Sequence, residues 1–476
     1  MTYQQTLQYL NSFINYEKKV HYPYKQSLKL ERIKDFLTSI HNPQDSLKII
    51  HVAGTKGKGS VCAMVAYMLR EAGYIVGLFT SPHLFNVRER IRVLMRSKQP
   101  PLVRMRGGVK KDFEGMISEK ELVRLTQGLK PLINRYNRTS KYGPLTFFEV
   151  LTIVAFVYYK EKHADFVVLE TGLGGRIDST NVVDSLVCAI TSISYDHTHK
   201  LGSTLAAIAT EKAGIIKAPE RSGEAGKRPV VITAPQEKAA LQVIELKCSS
   251  LPAPLYKVGS DIRYRLLQSR LDYQEFSVSG RLGNFHKMRT PLLGEHQLIN
   301  ASVALGIVGA LKKYYHVSVS EKACKNGLYN TLWPGRFEII SREPWIILDG
   351  AHNAASAEML KQSLVKLFPG KKVILVLGIS RDKDIAGICK ALVPLSQKVM
   401  LTKAQNNRAA KPQDIFLRME GMIADDCVRV VVNVKTALSL AQKIAQRDDV
   451  ILITGSMFVI GEAKELLTKI PDHQIL

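Results

Sequence analysis

Leu47-Lys48-Ile49-Ile50-His51-Val52-Ala53-Gly54-Thr55-Lys56-Gly57-Lys58-Gly59-Ser60 is the stretch on which the reading of this chain turns. Its first half is an apolar run rich in Ile and Val, the pattern of a buried strand. A glycine-rich turn follows, and residues 61–70 have the composition of a helix that stops at Gly73. Strand, glycine loop and helix N-terminus together form an anion site. The glycines let successive backbone N–H groups point inward, and the helix dipole favours negative charge there. Gly54, Thr55, Gly57, Lys58, Gly59 and Ser60 are therefore the first candidates for contact with a nucleotide. Lys58 can reach the outer phosphates, and the Ser60 hydroxyl can ligate Mg²⁺. The alternative is a glycine-rich turn that only caps a core helix. The arrival of strand, loop, Lys, Ser and helix in this order favours the nucleotide.

The spacing departs from the common G-x-x-x-x-G-K-[ST] loop, because a glycine separates the lysine from the serine to give G-x-x-G-K-G-S. This loop resembles the variant used by the Mur ligase superfamily, ATP-dependent enzymes that join a carboxylate to an amine.

The chain has 476 residues, which predicts two or three domains. At 46% hydrophobic and 23% charged residues it has a globular composition. Its 67 Lys and Arg against 42 Asp and Glu leave a net charge of +25, which suggests an anionic partner: nucleotide, polycarboxylate or nucleic acid. Simple solubility is the alternative. Six isolated cysteines form no C-x-x-C pair, so neither a zinc knuckle nor a redox pair is signalled, and a reducing, cytoplasmic setting is expected. Residues 1–20 lack the charged start and apolar core of a secretory signal. The longest apolar helical stretch, residues 151–159, is too short to span a bilayer, so no membrane association is expected.

Along the chain, apolar strand-like runs recur at 75–80, 166–170, 186–193, 345–348, 373–377, 399–402, 428–432 and 450–454, separated by helical stretches. Residues 251–290 alternate like antiparallel strands. Strand–helix alternation predicts parallel sheets with helices on both faces. The expected fold is α/β with two domains: an N-terminal P-loop ATPase domain with a mostly parallel sheet, residues 1–295, and a C-terminal Rossmann-like α/β domain, residues 296–476. Thr171-Gly172-Leu173-Gly174-Gly175-Arg176-Ile177-Asp178 hints at a dinucleotide fingerprint. It lacks the third glycine and an ensuing helix.

Ligands of open α/β sheets sit beyond the carboxyl ends of the strands. The P-loop, Glu170, the Asp196-His197 pair and Asp349 fall at such ends. A carboxylate ending an apolar strand is costly unless paired or bound to a metal, and Mg²⁺ takes one or two protein oxygens plus waters, which suits Ser60 and Glu170. His197 alone reads as a satisfied polar residue, and Lys212 alone reads as a surface lysine. Asp349, before Gly350-Ala351-His352-Asn353, is open to two readings: an acceptor for ribose hydroxyls, or an Asx turn at a helix start.

Nine motifs in order carry a closer resemblance. They are Gly54 to Ser60, Ser81-Pro82-His83-Leu84, Thr146-Phe147-Phe148-Glu149, Leu169 to Asn181, Asp196-His197-Thr198, Glu211 to Ile215, Gly294-Glu295-His296-Gln297, Trp333-Pro334-Gly335-Arg336 and Leu348 to Asn353. Over nearly its whole length the chain resembles the folylpolyglutamate synthase family, including bacterial members that also act as dihydrofolate synthase. The resemblance implies an ATP-dependent ligase that adds L-glutamate to folate or dihydropteroate through an acyl phosphate. It implies a monomer with no nucleic-acid partner, with Mg²⁺ and, as a further candidate, a monovalent cation. It implies that Ser60, Glu170, His197 and a carbamylated Lys212 hold Mg²⁺, and that Thr146, Phe148 and Asp178 line a pterin pocket. Asn300 and Arg336 would face the nucleotide, Asp349 the ribose, and His352 and Ser456 the incoming glutamate; Lys58, Lys212 and His352 would be catalytic. The family's loop usually has Asn at Lys56, and the basic insertions at 97–115 and 219–229 match nothing in it. The cations at 96–111 suggest a polyglutamate-binding role, with a plain solvated loop as the alternative. Competing assignments are a Mur-type ligase of cell-wall synthesis, a nucleic-acid-binding NTPase, and a regulatory protein that has lost catalysis. The NTPase would want a standard P-loop and a groove-binding module, neither of which is found. Ser60, Glu170, His197 and Lys212 occurring together speak against the regulatory protein.

Overall fold

A computed structural model describes residues 1–19, 22–96, 113–219 and 228–469. Most of both basic insertions, and with them the expected polyglutamate-binding cations Lys98, Arg104, Arg106, Lys110 and Lys111, lies outside the described residues.

Seven strands form the first sheet: β1 Ile49–Ala53, β2 Val76–Phe79, β3 Ile91–Leu94, β4 Phe166–Glu170, β5 Ser185–Ile190, β6 Val230–Thr233 and β7 Leu255–Lys257. Their order is β3-β2-β4-β1-β5-β6-β7, with only the β2–β3 pair antiparallel. The strand of the nucleotide loop is thus central, with Val52 level with Glu170 of β4 and Ala53 level with Ile190 of β5. A central parallel strand is covered on both faces, which is why β1 is apolar almost throughout. Its side chains alternate between the two faces. Ile50 and Val52 join the core that holds the Lys58–Glu71 helix, and Ile49 joins the core under the Phe147–Glu161 helix.

β8 Ile262–Ser269, β9 Gln274–Gly280 and β10 Phe285–Thr290 make a small antiparallel sheet. The alternating run at 251–290 therefore divides: residues 255–257 pair in parallel with β6, and only the remainder forms antiparallel pairs.

The last sheet contains β11 Glu338–Arg342, β12 Trp345–Leu348, β13 Val373–Leu377, β14 Ser396–Leu401, β15 Val428–Val430 and β16 Val450–Thr454, in the order β11-β12-β16-β13-β14-β15. β11 is an antiparallel edge strand absent from the sequence reading; its half-buried residues give it no apolar run to recognise. The other pairs are parallel.

The expected division at 295/296 falls at the start of the Glu295–Tyr315 helix. That helix and Glu321–Tyr329 pack on the Lys58–Glu71 helix, and Leu298, Leu305, Leu311 and Leu328 belong to the first sheet's core. Helical periodicity locates the element but cannot say which sheet it covers. Among the described residues no helix is long and apolar enough to cross a membrane.

Candidate active site

The carboxyl ends of β1, β2, β4 and β5 face those of the last sheet across one cleft of about 500 Å³. Every site residue expected from the sequence lines it: the nucleotide loop, Thr146, Phe148, Glu170, Asp178, His197, Lys212, Asn300, Arg336, Asp349, His352 and Ser456.

The loop is held from the side by the segment after β5. Thr55 and Lys56 donate their N–H groups to the Ser192 carbonyl at 3.0 and 3.3 Å, and the Thr55 hydroxyl bonds the Ser194 backbone at 3.2 Å. Gly57 turns the chain into the helix with φ +84°, and a Cβ there would stand 2.2 Å from Asn300 Oδ1. Both the left-handed backbone and the contact demand glycine. Asn300 thereby lies against the loop, as expected, with its amide nitrogen donating to Gln297 Oε1 at 3.0 Å.

Beside the loop lies a group of buried charges. Glu170 is 5% exposed. Its Oε2 accepts the Ser81 N–H at 3.0 Å, and Lys58 Nζ stands 3.8 Å from Oε1. Burial holds this carboxyl above its ordinary range, against the pull of Lys58. Lys212 is not a surface lysine. It ends the Leu205–Ala213 helix with 4% exposure, and its Nζ donates to the Gly54 carbonyl at 2.8 Å. Burial, reinforced by the Lys58 charge, lowers its pKa to about 7. His197 has a left-handed backbone, φ 51°, and caps the short helix after β5. Burial holds its ring well below the ordinary histidine value.

The remaining residues come from both sides. Thr146 caps the Phe147–Glu161 helix, with its hydroxyl accepting the Glu149 N–H at 3.3 Å. Asp349 makes the turn foreseen as one of its two readings. Its Oδ1 accepts Ala351 N–H and its Oδ2 accepts Phe337 N–H, both at 2.8 Å. Each oxygen keeps a lone pair for another donor. The cap of the Ala354–Leu367 helix is Asn353, not Asp349. Arg336 is bonded to the Gly335 carbonyl at 2.9 Å; burial lowers its pKa, while Asp349 and Glu170 raise it. His352 places Nδ1 2.8 Å from the Gly350 carbonyl, and burial takes its pKa down to about 4. The carbonyl fixes the proton on Nδ1, so Nε2 carries the free lone pair. Ser456 accepts the Phe458 N–H at 3.2 Å at the start of the last helix.

The sequence reading missed the contacts that span the cleft. Lys383, beyond β13, pairs with Asp196, beyond β5, at 2.7 Å, and Asn353 Nδ2 adds a bond at 3.2 Å. Burial would raise the Asp196 pKa, but His197 and Lys383 together hold it far below the ordinary range. Arg408 donates to the Glu17 carbonyl at 2.8 Å while bound to Asp382. The charged run Arg381-Asp382-Lys383-Asp384 directly after an apolar strand was the available signal.

Residues 120–308 match the Mur ligase middle domain, and residues 335–457 match the Mur ligase glutamate ligase domain. The Bacillus subtilis dihydrofolate synthase/folylpolyglutamate synthase is 32% identical over 445 residues, covering 92% of this chain and 94% of that one. Mycobacterium tuberculosis folylpolyglutamate synthase, solved with ADP and AMPPCP, superposes with a TM-score of 0.83 at 29% identity, covering 98% of this chain and all of the other. Escherichia coli FolC in complex with DHPP and ADP gives a TM-score of 0.81 at 26% identity over 98% of both chains. On this likeness, which spans both sheets and the cleft between them, the chain belongs to the dihydrofolate synthase/folylpolyglutamate synthase family of Mur ligases.

Proposed function

We propose that this protein uses ATP to join the amine of L-glutamate to a folate carboxylate, and that it also accepts dihydropteroate. The observation that carries the proposal is the collection in one cleft of a nucleotide loop, a buried set of ionisable groups and, at its other end, Asp178 beside Phe148.

A carboxylate is a poor electrophile, so the γ-phosphoryl of ATP first passes to a carboxylate oxygen, giving an acyl phosphate and ADP. The glutamate amine adds to the acyl carbon, loses a proton, and expels phosphate as the amide forms. Lys58 would offset charge on the moving phosphoryl group. His352, neutral with a free Nε2, suits the role of proton acceptor near the amine. Ser456, Arg336, Asn300 and Asp349 are assigned to orienting glutamate and nucleotide, and Thr146, Phe148 and Asp178 to the pterin ring. Closure of the cleft across Asp196 and Lys383 keeps water from the acyl phosphate.

The residues present fit Mg²⁺. Glu170 is a buried carboxylate with one ammonium at 3.8 Å, so it has acceptor capacity left for a cation. Ser60, Glu170, His197 and Lys212 as its carbamate would hold the ion. When bound, it supplies charge neutralisation at the phosphates. A carbamate forms only on a neutral amine, and a pKa of about 7 makes Lys212 neutral in much of the population at physiological pH. A monovalent cation, a monomeric state and a cytoplasmic setting complete the proposal; the six cysteines are all free thiols. For domain organisation we place the division near residue 331, after the Glu321–Tyr329 helix, because both preceding helices share the first sheet's core.

The deciding experiment measures glutamate-dependent ATP hydrolysis with dihydropteroate and tetrahydrofolate separately. Turnover with both is expected. Turnover with tetrahydrofolate alone removes the dihydrofolate synthase half, and turnover with neither removes the proposal.

A further inference from the structure

Asp178 is tied to the nucleotide strand by a two-bond relay. His51 of β1 is fully buried on the face away from the Lys58–Glu71 helix, and its Nε2 lies 2.8 Å from Thr180 Oγ1. Thr180 Oγ1 in turn donates to Asp178 Oδ1 at 2.6 Å. The Thr180 N–H also donates to Oδ1, at 3.0 Å, and the Leu173 N–H donates to Oδ2, at 2.9 Å. His51 Nδ1 is buried without a partner among the described residues. A bare buried lone pair is cheaper than an orphaned N–H, so the ring proton belongs on Nε2. The direction of the relay is then fixed. His51 Nε2–H donates to Thr180 Oγ1, and the Thr180 hydroxyl has only its own proton to give to Asp178. The donors thus all point at the carboxylate.

Oδ1 is filled by its two donors, so a further donor must approach Oδ2, which the Leu173 N–H already bonds, while the Gly172 N–H also reaches the carboxylate. This oxygen lies where the cleft is aromatic. A Cβ added at Gly172 would stand 3.3 Å from Asp178 Oδ2 and 2.8 Å from Phe148 Cζ, so the oxygen and the ring edge converge on one point, and only glycine leaves that point open.

We propose that His51 and Thr180 are positioning residues for substrate choice. They hold Asp178 as an acceptor beside Phe148, so that this end of the cleft selects a fused heterocycle presenting N–H donors, such as a 2-amino-4-oxopteridine, over an analogue lacking the amino group. The inference rests on the proposed function for the identity of that ring. It assigns the selectivity to two residues outside the nine motifs' expected ligand set, one of them in the nucleotide strand itself.

The test compares full-length wild type with Thr180→Val, Thr180→Ser, His51→Leu and His51→Gln. Folding is checked by circular dichroism. Steady-state kinetics give KM for dihydropteroate and for ATP, and calorimetry gives the binding ratio of pteroate to 2-deaminopteroate. Thr180→Val should raise the dihydropteroate KM by about tenfold or more, with kcat and the ATP KM changing by less than about threefold. Thr180→Ser, which keeps the hydroxyl, should restore the KM. His51→Gln, which offers an amide N–H in place of Nε2–H, should outperform His51→Leu. The preference for the 2-amino ring should collapse in Thr180→Val. A folded Thr180→Val with unchanged preference, or equal losses for ATP and dihydropteroate, overturns the inference. So does a failure of both the Ser and Gln variants to rescue. If Thr180→Val does not fold, Thr180→Ala is read by the same criteria. A wild type that ligates neither pteroate nor folate refutes the proposed function instead, which separates the two failures.

Discussion

Lys212 shows how much one side chain's surroundings can change its chemistry. In the sequence it is a lysine near a helix end; in the fold it is buried against the Gly54 carbonyl, with a pKa of about 7. Its proton is lost in the folded state at a pH where the unfolded chain, with the ordinary lysine value of 10.5, still binds it. From this group alone, stability therefore rises with pH from about 7 to the unfolded value. The same shift sets the window for carbamylation, which consumes the neutral amine and CO₂ and releases a proton. In ¹³C-bicarbonate a carbamate resonance should appear at pH values where an ordinary lysine amine is still protonated. A resonance that appears only near the ordinary lysine range, or that survives in Lys212→Ala, would contradict this. Lys58 and Ser60 carry a separate expectation. Lys58→Ala and Ser60→Ala should each lower turnover by about 10²–10³-fold with the fold retained, since each removes charge or a ligand at the phosphates. Near-normal turnover in both purified variants would displace the nucleotide loop from the mechanism.

At the level of elements, the Phe147–Glu161 helix is anchored at the end that lines the cleft and carries the proposed pterin contacts. Thr146 and Glu149 form a capping box, with Thr146 N–H donating to Glu149 Oε2 at 2.7 Å. Arg32, from the Leu30–Ser39 helix, places Nε 2.9 Å from both oxygens of the same Glu149. Arg32 and Glu149 side chains are 6% and 3% exposed, so removing one partner strands a charge without solvent. Arg32→Met should cost about 3–5 kcal/mol of stability. The added change Glu149→Gln should recover a large part of it, because the stranded charge is then gone. Urea unfolding of the single and double variants measures this. Equal midpoints for Arg32→Met and wild type would show that the pair is not holding the helix start. Thr146 thus has two loads, a helix cap and a wall of the cleft, and Thr146→Ser preserves the first while altering the second only by a methyl.

For the whole molecule, the loops of the two sheets meet through apolar as well as polar contacts: Leu84 belongs to the last sheet's core, with Phe85 and Phe113 packed against it, and buried polar bonds lie beside them. Asp196–Lys383 is buried on both sides, and Arg408 reaches back to Glu17 near the N-terminus. Glu17 is itself held by Arg90 at 2.6 Å. Lys383→Met leaves Asp196 charged and enclosed, and the least costly relief is hydration by opening the cleft. Hydrogen exchange should therefore quicken in residues 192–201 and 378–384 and stay unchanged in β1, β4 and β13. An exchange pattern identical to wild type would mean that this pair does not hold the cleft shut. The positive balance of the chain, +25, suits substrates that gain a carboxylate with each glutamate, and the cleft itself contains Lys56, Lys58, Lys200, Lys212, Arg336 and Lys383.

The sequence by itself determined the parts of this protein whose information is local. The nucleotide loop was legible because a strand, glycines, Lys58, Ser60 and a helix start are neighbours along the chain. The strands of the last sheet were legible because parallel, doubly covered strands are continuous apolar runs. The motif order was enough to gather the candidate residues, and the structure brings them to one cleft. What only the tertiary structure decided depends on sheet order, which no spacing encodes. Placing β4 and β5 on either side of β1 is what sets His51 beside Thr180, 129 positions away, and Lys212 against Gly54, 158 positions away. The Glu295–Tyr315 helix shows the same limit, since its apolar residues fix that it is buried but not in which core. Edge strand β11 and the Asp196–Lys383 pair escaped for a related reason. Half-exposed strands lack a hydrophobic signature, and an ion pair spanning 187 residues exists only once both strand ends have been brought face to face.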